Sequence, residues 1–247
     1  MTPFNQRDHS RPPRLLALDT ATELVAVAVV DGGRVWAGEE AGGLLASQRL
    51  LPLVFTLLER AGLTLAELDA IAFGRGPGAF TGLRTACSVA QGLAFGAGLP
   101  VLAIDSLALV ADDAFAQQGA TDLWVAMDAR MDEVYAAAYR RTDDHWRASH
   151  APALWPLAAL NEQWQREPPA CVAGSALDAF GLRLHSGAAL RVPAARDRAA
   201  ALARLARAAW QRSEAVDAAQ ALPLYLRDKV AHTTAERAAI AATKATP

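Results

Sequence analysis

Two aspartates stand where short apolar strands run into a turn. Asp19 closes Leu15-Leu16-Ala17-Leu18 and precedes Thr20-Ala21-Thr22; Asp128 closes Val125-Ala126-Met127 and precedes Ala129-Arg130. A carboxylate at a strand end suits a hard cation, and turn N–H groups suit phosphate oxygens, so each turn is a candidate holder of a metal-bound phosphate. The plainer alternative is an Asx turn, in which the aspartate bonds its own backbone, and spacing alone favours it. A third candidate is Gly74-Arg75-Gly76-Pro77-Gly78-Ala79-Phe80-Thr81-Gly82, which joins a strand to a helix and could offer helix N–H groups to an anion. It departs from the phosphate-loop template, because Gly82 is followed by Leu83 and Arg84 rather than Lys and Ser/Thr. It departs from the dinucleotide fingerprint too, because Thr81 stands where a third glycine is needed. The five histidines (His9, His145, His150, His185 and His232) never fall at i, i+4, which excludes a helical zinc pair.

The elements that must position these residues can be read from periodicity. Extended runs are expected at 14–18, 25–30 and 34–40, with Asp31-Gly32-Gly33 as a hairpin turn. A helix is expected from about Ser47 to Ala61, closed by Gly62, with Pro52 in its first turns. Thr64 to Glu67 has capping-box spacing before a strand at 70–73. The glycine loop, a helix from about Leu83 to Ala97, a strand at 101–104 and a helix opened by Ser106 follow.

The second half opens like the first. Leu123 to Met127 leads to Asp128, Glu133 to Arg140 is extended, and Trp146 lies on a returning strand, as Trp36 does in the first half. The two aspartates are 109 positions apart and the two tryptophans 110. A duplicated α/β lobe explains this spacing. Pro168-Pro169 breaks the chain before a strand at 170–173, and an Ala/Arg-rich helix is expected at about 194–212, its arginines on a solvated face rather than an RNA patch. The expected organisation is a flexible leader at 1–13, an N-terminal lobe at 14–118, a C-terminal lobe at 119–231 and a flexible tail at 232–247.

Composition agrees with a globular chain: 247 residues, 53 % hydrophobic and 20 % charged. No apolar run reaches the roughly 18 residues that a membrane helix needs. A net charge of −2 gives no global pull toward nucleic acid or anionic lipid. Cys87 and Cys171 are expected to be buried thiols rather than a disulfide, and the chain to be cytoplasmic.

The string from Gly74 to Arg84 resembles the signature of the TsaB (YeaZ) family, which usually has Ser where Ala79 stands. Leu18 to Thr22, Met127 to Arg130 with Glu133-Val134-Tyr135, and Pro223-Leu224-Tyr225-Leu226-Arg227 resemble family segments as well. The resemblance spans about residues 14 to 231. It departs at Ala46-Ser47, where the family commonly has His-Ser. It implies a duplicated actin/hexokinase-like (ASKHA) α/β fold and a glycoprotease-like (M22) family label. It also implies a subunit that performs no chemistry itself. Such a subunit pairs with a homologous catalytic subunit, TsaD, which with the ATPase TsaE places threonylcarbamoyl on the adenosine beside the anticodon of tRNA. On that reading Asp19, Thr20 and Asp128 are vestigial nucleotide turns. No cofactor is expected for the chain alone, with ATP or ADP only at the junction with the partner, and tRNA is met through the complex. The helix at 47–61 has no histidine, whereas the catalytic relative carries a His-x-x-x-His pair there. Gly174-Ser175-Ala176 has one glycine where an adenosine-binding turn of this fold has two.

Two helices are the expected partner interface. That at 47–61 adds Leu51 and Phe55 to an already apolar face; that at 83–97 is apolar almost all round, with small residues Ala86, Ala90, Gly92, Ala94 and Gly96. Such a helix is buried on both sides, by its own lobe or by a partner. The resemblance favours a partner, with Leu51, Phe55, Arg84, Ser88, Gln91, Gly92 and Phe95 at the contact. It leaves room for a homodimer when the partner is absent. The competing readings are an ATP-dependent phosphotransferase or ATPase of the same fold, a metalloprotease, which the absent histidine pair opposes, and a self-associating scaffold.

Overall fold

Strands β1 (Arg14–Asp19) and β2 (Leu24–Asp31) are apolar without alternation, because both their faces are covered. They form an antiparallel meander with β3 (Arg34–Ala41), whose side chains alternate between half-buried and exposed. Gly32 takes φ +56° in the tight turn between β2 and β3, where Asp31 pairs with Arg34. The computed structural model describes residues 11–143 and 145–227. Most of the leader and the whole of the tail expected at 232–247 lie outside the described residues.

After β3 the chain crosses over through α1 (Ala46–Ala61) to β4 (Ala70–Gly76), and through α2 (Phe80–Ala97) to β5 (Val101–Asp105). These strands add in parallel beside β1, giving the order β3-β2-β1-β4-β5. Helix α3 (Ser106–Gln118) follows, its N-terminus capped by the Asp105 carboxylate. The second half repeats the plan: β6 (Asp122–Asp128), β7 (Glu133–Thr142), β8 (His145–Pro156), α4 (Leu157–Arg166), β9 (Cys171–Ala173), α5 (Ala176–Phe180), β10 (Leu190–Val192) and α6 (Arg198–Gln211). Its sheet order, β8-β7-β6-β9-β10, matches the first strand for strand. Asp19 and Asp128 end equivalent strands. Gly76, at φ +111°, ends β4, and Gly174, at φ +116°, directly follows the equivalent strand β9. The molecule is a duplicated, two-lobed α/β structure of the actin/hexokinase-like kind.

The lobes exchange their last helices. Helices α1 and α2 cover one face of the first sheet, where Leu50, Val54, Leu57, Ala86, Ala90 and Ala94 meet Leu16, Val27, Ile71 and Phe73. The opposite face, with Leu15, Ala17, Ala28 and Val30, is covered by Ala201, Leu202, Ala206 and Trp210 of α6. Leu107, Val110, Ala111 and Ala114 of α3 pack on Val125, Ala137 and Tyr139 of the second sheet. Helices α4 and α5 close its far face. The chain therefore forms two sheets, the first ending with β5 at Asp105 and the second opening with β6 at Asp122, but not two separately covered bodies.

This middle layer corrects the expectation of a solvated arginine face on α6. Arg204 pairs with Asp112 at 2.6 Å, Arg207 donates to the Gly32 carbonyl at 2.7 Å, and Arg198 is buried against Asp19. Asp113, also buried, accepts from the Arg196 and Asp197 backbone N–H groups. Both cysteines are buried free thiols. Helix α6 starts at Arg198, with Asp197 capping the Ala200 N–H at 2.9 Å, rather than at 194. Helix α4 and strand β10 were not legible in the sequence. No helix among the described residues is long and apolar enough to cross a membrane.

Candidate functional site

The two aspartate turns face one another across a cleft of about 690 Å³ between the lobes. Its walls are mainly apolar, from Leu24, Phe80 and Leu83 on one side and Met127, Met131 and Tyr135 on the other. Arg198, Ser175, Asp128 and Arg130 supply polar groups.

Asp19 takes no part in the open space. Its side chain is 0 % exposed, and one carboxylate oxygen accepts from the Ala21 N–H at 2.9 Å, which is the Asx turn. The other meets the Arg198 guanidinium at 2.9 Å. Gly74 makes room for this pair, since a methyl group there would stand 2.6 Å from the Asp19 Cγ. Arg198 itself is only 3 % exposed, and its Nε finds no acceptor among the described residues.

The glycine string is three things, not one loop. Gly74 to Gly76 end β4, Pro77 to Ala79 turn, and α2 begins at Phe80, three residues earlier than expected. A methyl at Gly82 would lie 1.8 Å from the Thr20 carbonyl oxygen, and one at Gly78 would lie 2.4 Å from that of Ala21. The Ala79 N–H donates to the Ala21 carbonyl at 2.8 Å, and the Thr20 hydroxyl to the Gly82 carbonyl at 2.6 Å. These glycines thus let the start of α2 lie directly on the Asp19 turn. The space a phosphate would need between turn and helix is filled by backbone. A cation with its phosphate does not fit here, because the carboxylate that would hold it is committed to an arginine.

Asp128 repeats the Asx turn, accepting from the Arg130 backbone N–H at 2.8 Å, and pairs with the Arg130 guanidinium at 3.2 Å. Beyond it, Arg130, Met131 and Asp132 all adopt positive φ (64°, 59° and 58°), a conformation that disfavours residues with a Cβ. Arg227 holds this turn. It donates to the Ala129 carbonyl at 2.8 Å and pairs with Glu133 at 2.6 Å. Arg227 lies on a strap that crosses from one lobe to the other, of which residues 221–227 are described. At its first-lobe end the Leu224 N–H donates to the Arg75 carbonyl at 2.7 Å, and the Tyr225 ring packs 4.9 Å from that of Phe80. Behind the loop, the Gly76 N–H donates to the Ser106 hydroxyl, and the Tyr139 hydroxyl of the second lobe donates to Asp105 at 2.5 Å. Burial pushes the Asp105 carboxyl above the ordinary range against those hydrogen bonds, and burial and the adjacent carboxylate push the Tyr139 phenol up.

The outer side of α1 and α2 is the other candidate surface. Leu51, Phe55 and Phe95 are 37 %, 51 % and 59 % exposed, and Arg84, Ser88 and Gly92 are exposed between them. A side chain added at Gly92 or Gly96 would meet nothing within 4 Å. Of the small residues of this helix, Ala86, Ala90 and Ala94 face the core of their own lobe. Gln91 is half-buried and spends its amide on the Ala218 carbonyl at 3.0 Å. Sequence reasoning missed Arg198, Tyr225 and Arg227 as site residues. Tyr225 and Arg227 stood in a quoted segment, whereas nothing local marked Arg198.

Comparison with known proteins gives consistent results. The family model described as "TsaD: tRNA N6-adenosine threonylcarbamoyltransferase" matches residues 45–235. The tRNA threonylcarbamoyladenosine biosynthesis protein TsaB of Escherichia coli (strain K12) is 37 % identical over 227 residues, covering 88 % of this chain and 96 % of that protein. The Haemophilus influenzae protein of the same name is 47 % identical over 121 residues, about half of each chain (49 % and 51 %). The solved structure of YeaZ from Pseudomonas aeruginosa superposes with a TM-score of 0.78 at 43 % identity, covering 87 % of this chain and 100 % of that one.

Proposed function

The chain belongs to the TsaB (YeaZ) family, and from that premise we propose that it acts in the biosynthesis of threonylcarbamoyladenosine in tRNA as a non-catalytic subunit that binds and activates a TsaD-like catalytic subunit. The observation that carries this is the outer strip of α1 and α2. Three large apolar side chains (Leu51, Phe55 and Phe95) stand exposed along two adjacent helices whose inner faces are already used by the core. Two open glycine positions, Gly92 and Gly96, would let a partner helix approach closely.

The non-catalytic part of the reading is supported by Asp19. An ATP-dependent phosphotransferase of this fold would need that carboxylate for a cation, and here it is sealed against Arg198. Nucleotide is accordingly assigned to the junction with the partner and not to the chain alone. A TsaE-like ATPase and tRNA are engaged through the complex, in the cytoplasm. Multiple turnovers of ATP by rigorously pure protein would contradict this assignment.

The test of the docking role is co-purification with the TsaD-like subunit of the same genome, followed by a tRNA modification assay with and without this chain. The variant to compare is Ser88→Arg with Gly92→Arg. Both positions are exposed, and replacing a mid-helix glycine removes a conformational cost of about 1 kcal/mol. The variant is expected to melt cooperatively close to the parent, fail to co-elute and fail to support modification. Retention of full modification activity would place the docking surface elsewhere. Gln91 is left unchanged because its amide serves the fold.

A further inference from the structure

Arg84 is the only charged residue of α2, and it lies on the outer strip one turn before Ser88. Its side chain is already immobilised. The guanidinium carbon lies 3.9 Å over the centre of the Phe80 ring, and Nε donates to the Tyr225 hydroxyl at 3.1 Å. The Tyr225 ring in turn packs against Phe80. Yet no carboxylate pairs with Arg84 among the described residues, whereas Arg130, Arg198, Arg204 and Arg227 each pair with one. A solvated arginine normally gains nothing from being held still, because ordering a long side chain sacrifices rotamer entropy. Here that entropy is surrendered before any partner arrives. The terminal nitrogens are left as a fixed fork of donors, the geometry that matches a carboxylate.

We propose that Arg84 is the specificity-determining anchor of the α1–α2 face, and that it receives an aspartate or glutamate side chain of the docking subunit. The inference rests on that face being where the TsaD-like subunit binds, and it adds the chemistry of the contact. The apolar residues of the strip supply area and little orientation. One preorganised arginine among them fixes the register of the facing helix and rejects partners without an acid at that place. Because Tyr225 belongs to the strap, the same contact ties partner docking to the segment that spans the two lobes.

The test is the dissociation constant for the TsaD-like subunit, measured by calorimetry at low and high salt for the parent, Arg84→Gln, Arg84→Lys, Tyr225→Phe and Gly92→Arg. Arg84→Gln should weaken binding by about thirtyfold or more and flatten its salt dependence, since breaking one desolvated charge pair is worth at least that much. Arg84→Lys should recover only part of the loss, because an ammonium cannot fork. Tyr225→Phe keeps the ring on Phe80 and frees Nε; it should weaken binding about three- to tenfold with an unchanged melting temperature. If Arg84→Gln proves to melt much lower, Tyr225→Phe decides, and parental affinity in it overturns the proposal. Should Gly92→Arg abolish binding while Arg84→Gln binds like the parent with the same salt slope, the carboxylate contact is wrong and the docking face stands. Parental binding by Gly92→Arg as well would overturn the docking face itself.

Discussion

Arg198 reaches Asp19 across 179 positions of sequence, and no local pattern could have announced it. The Asx turn was legible, because an aspartate after an apolar strand bonds the backbone two residues on whatever else it does. What decides between a cation site and a sealed ion pair is which helix packs on the sheet, and that is long-range information. The pair makes a firm prediction. With both partners buried, Arg198→Met leaves an uncompensated carboxylate and should lower stability by about 3–5 kcal/mol. In a chain of this length that is a fall of very roughly 6–20 °C in Tm. The double variant with Asp19→Asn should recover most of the loss, and calorimetric melts of the three proteins check it. Asp105 supplies the pH counterpart. Its carboxyl is raised in the folded state, chiefly by burial, so folding binds a proton as pH falls through that raised value. The stability associated with this group is fully present below the ordinary carboxylate value of 3.8 and is lost as pH rises through the raised one. Asp105→Asn should therefore be the more stable protein at neutral pH, and its advantage should shrink on acidification. Melting temperatures of both proteins across pH would show the two curves converging.

Among the elements, strands and hairpins were read well because alternation, continuous apolar runs and Asp-Gly turns are local signals. The early start of α2 was hidden by the glycines at 74, 76, 78 and 82, which read as loop but serve close backbone contact. The five-residue α5 and the three-residue β10 are too short to carry a period. Helix α1 shows what amphipathicity does settle. Leu50, Val54 and Leu57 are 0 % exposed, while Phe55 is 51 % exposed. Leu57→Ala should cost about 2–5 kcal/mol of folding stability. Phe55→Ala should leave stability within about 0.5 kcal/mol, as surface substitutions generally do. If the outer strip docks a partner, the ranking reverses in affinity, with Phe55→Ala the more damaging change. Denaturant melts and a binding titration on the same two proteins separate the effects. In the sequence the alanines and glycines of α2 could not be sorted into an inner and an outer set, because a helix of small residues looks alike on every face. Only the position of the sheet distinguishes them.

At the scale of the molecule, the duplication was legible from two aspartates and two tryptophans, while the exchange of helices was not. Each lobe borrows its inner covering layer: α6 from the second half shields the first sheet, and α3 from the first half shields the second. The strap adds a third tie. Arg227→Leu should release the left-handed turn at 130–132 and free Glu133, costing about 1–3 kcal/mol. Faster amide exchange at Ala129 and Glu133 than in the parent is the expected signature. The exchange of helices also has a consequence for how the protein is made. When a ribosome has released residues 1–118, the face of the first sheet built from Leu15, Ala17, Ala28 and Val30 still lacks its cover, which lies at 198–211. At about 5–20 residues per second, that greasy surface waits several seconds or longer for α6 to emerge. A nascent chain in this state is a natural client for a holding chaperone, and a gene fragment ending at codon 118 should yield aggregate rather than half a protein.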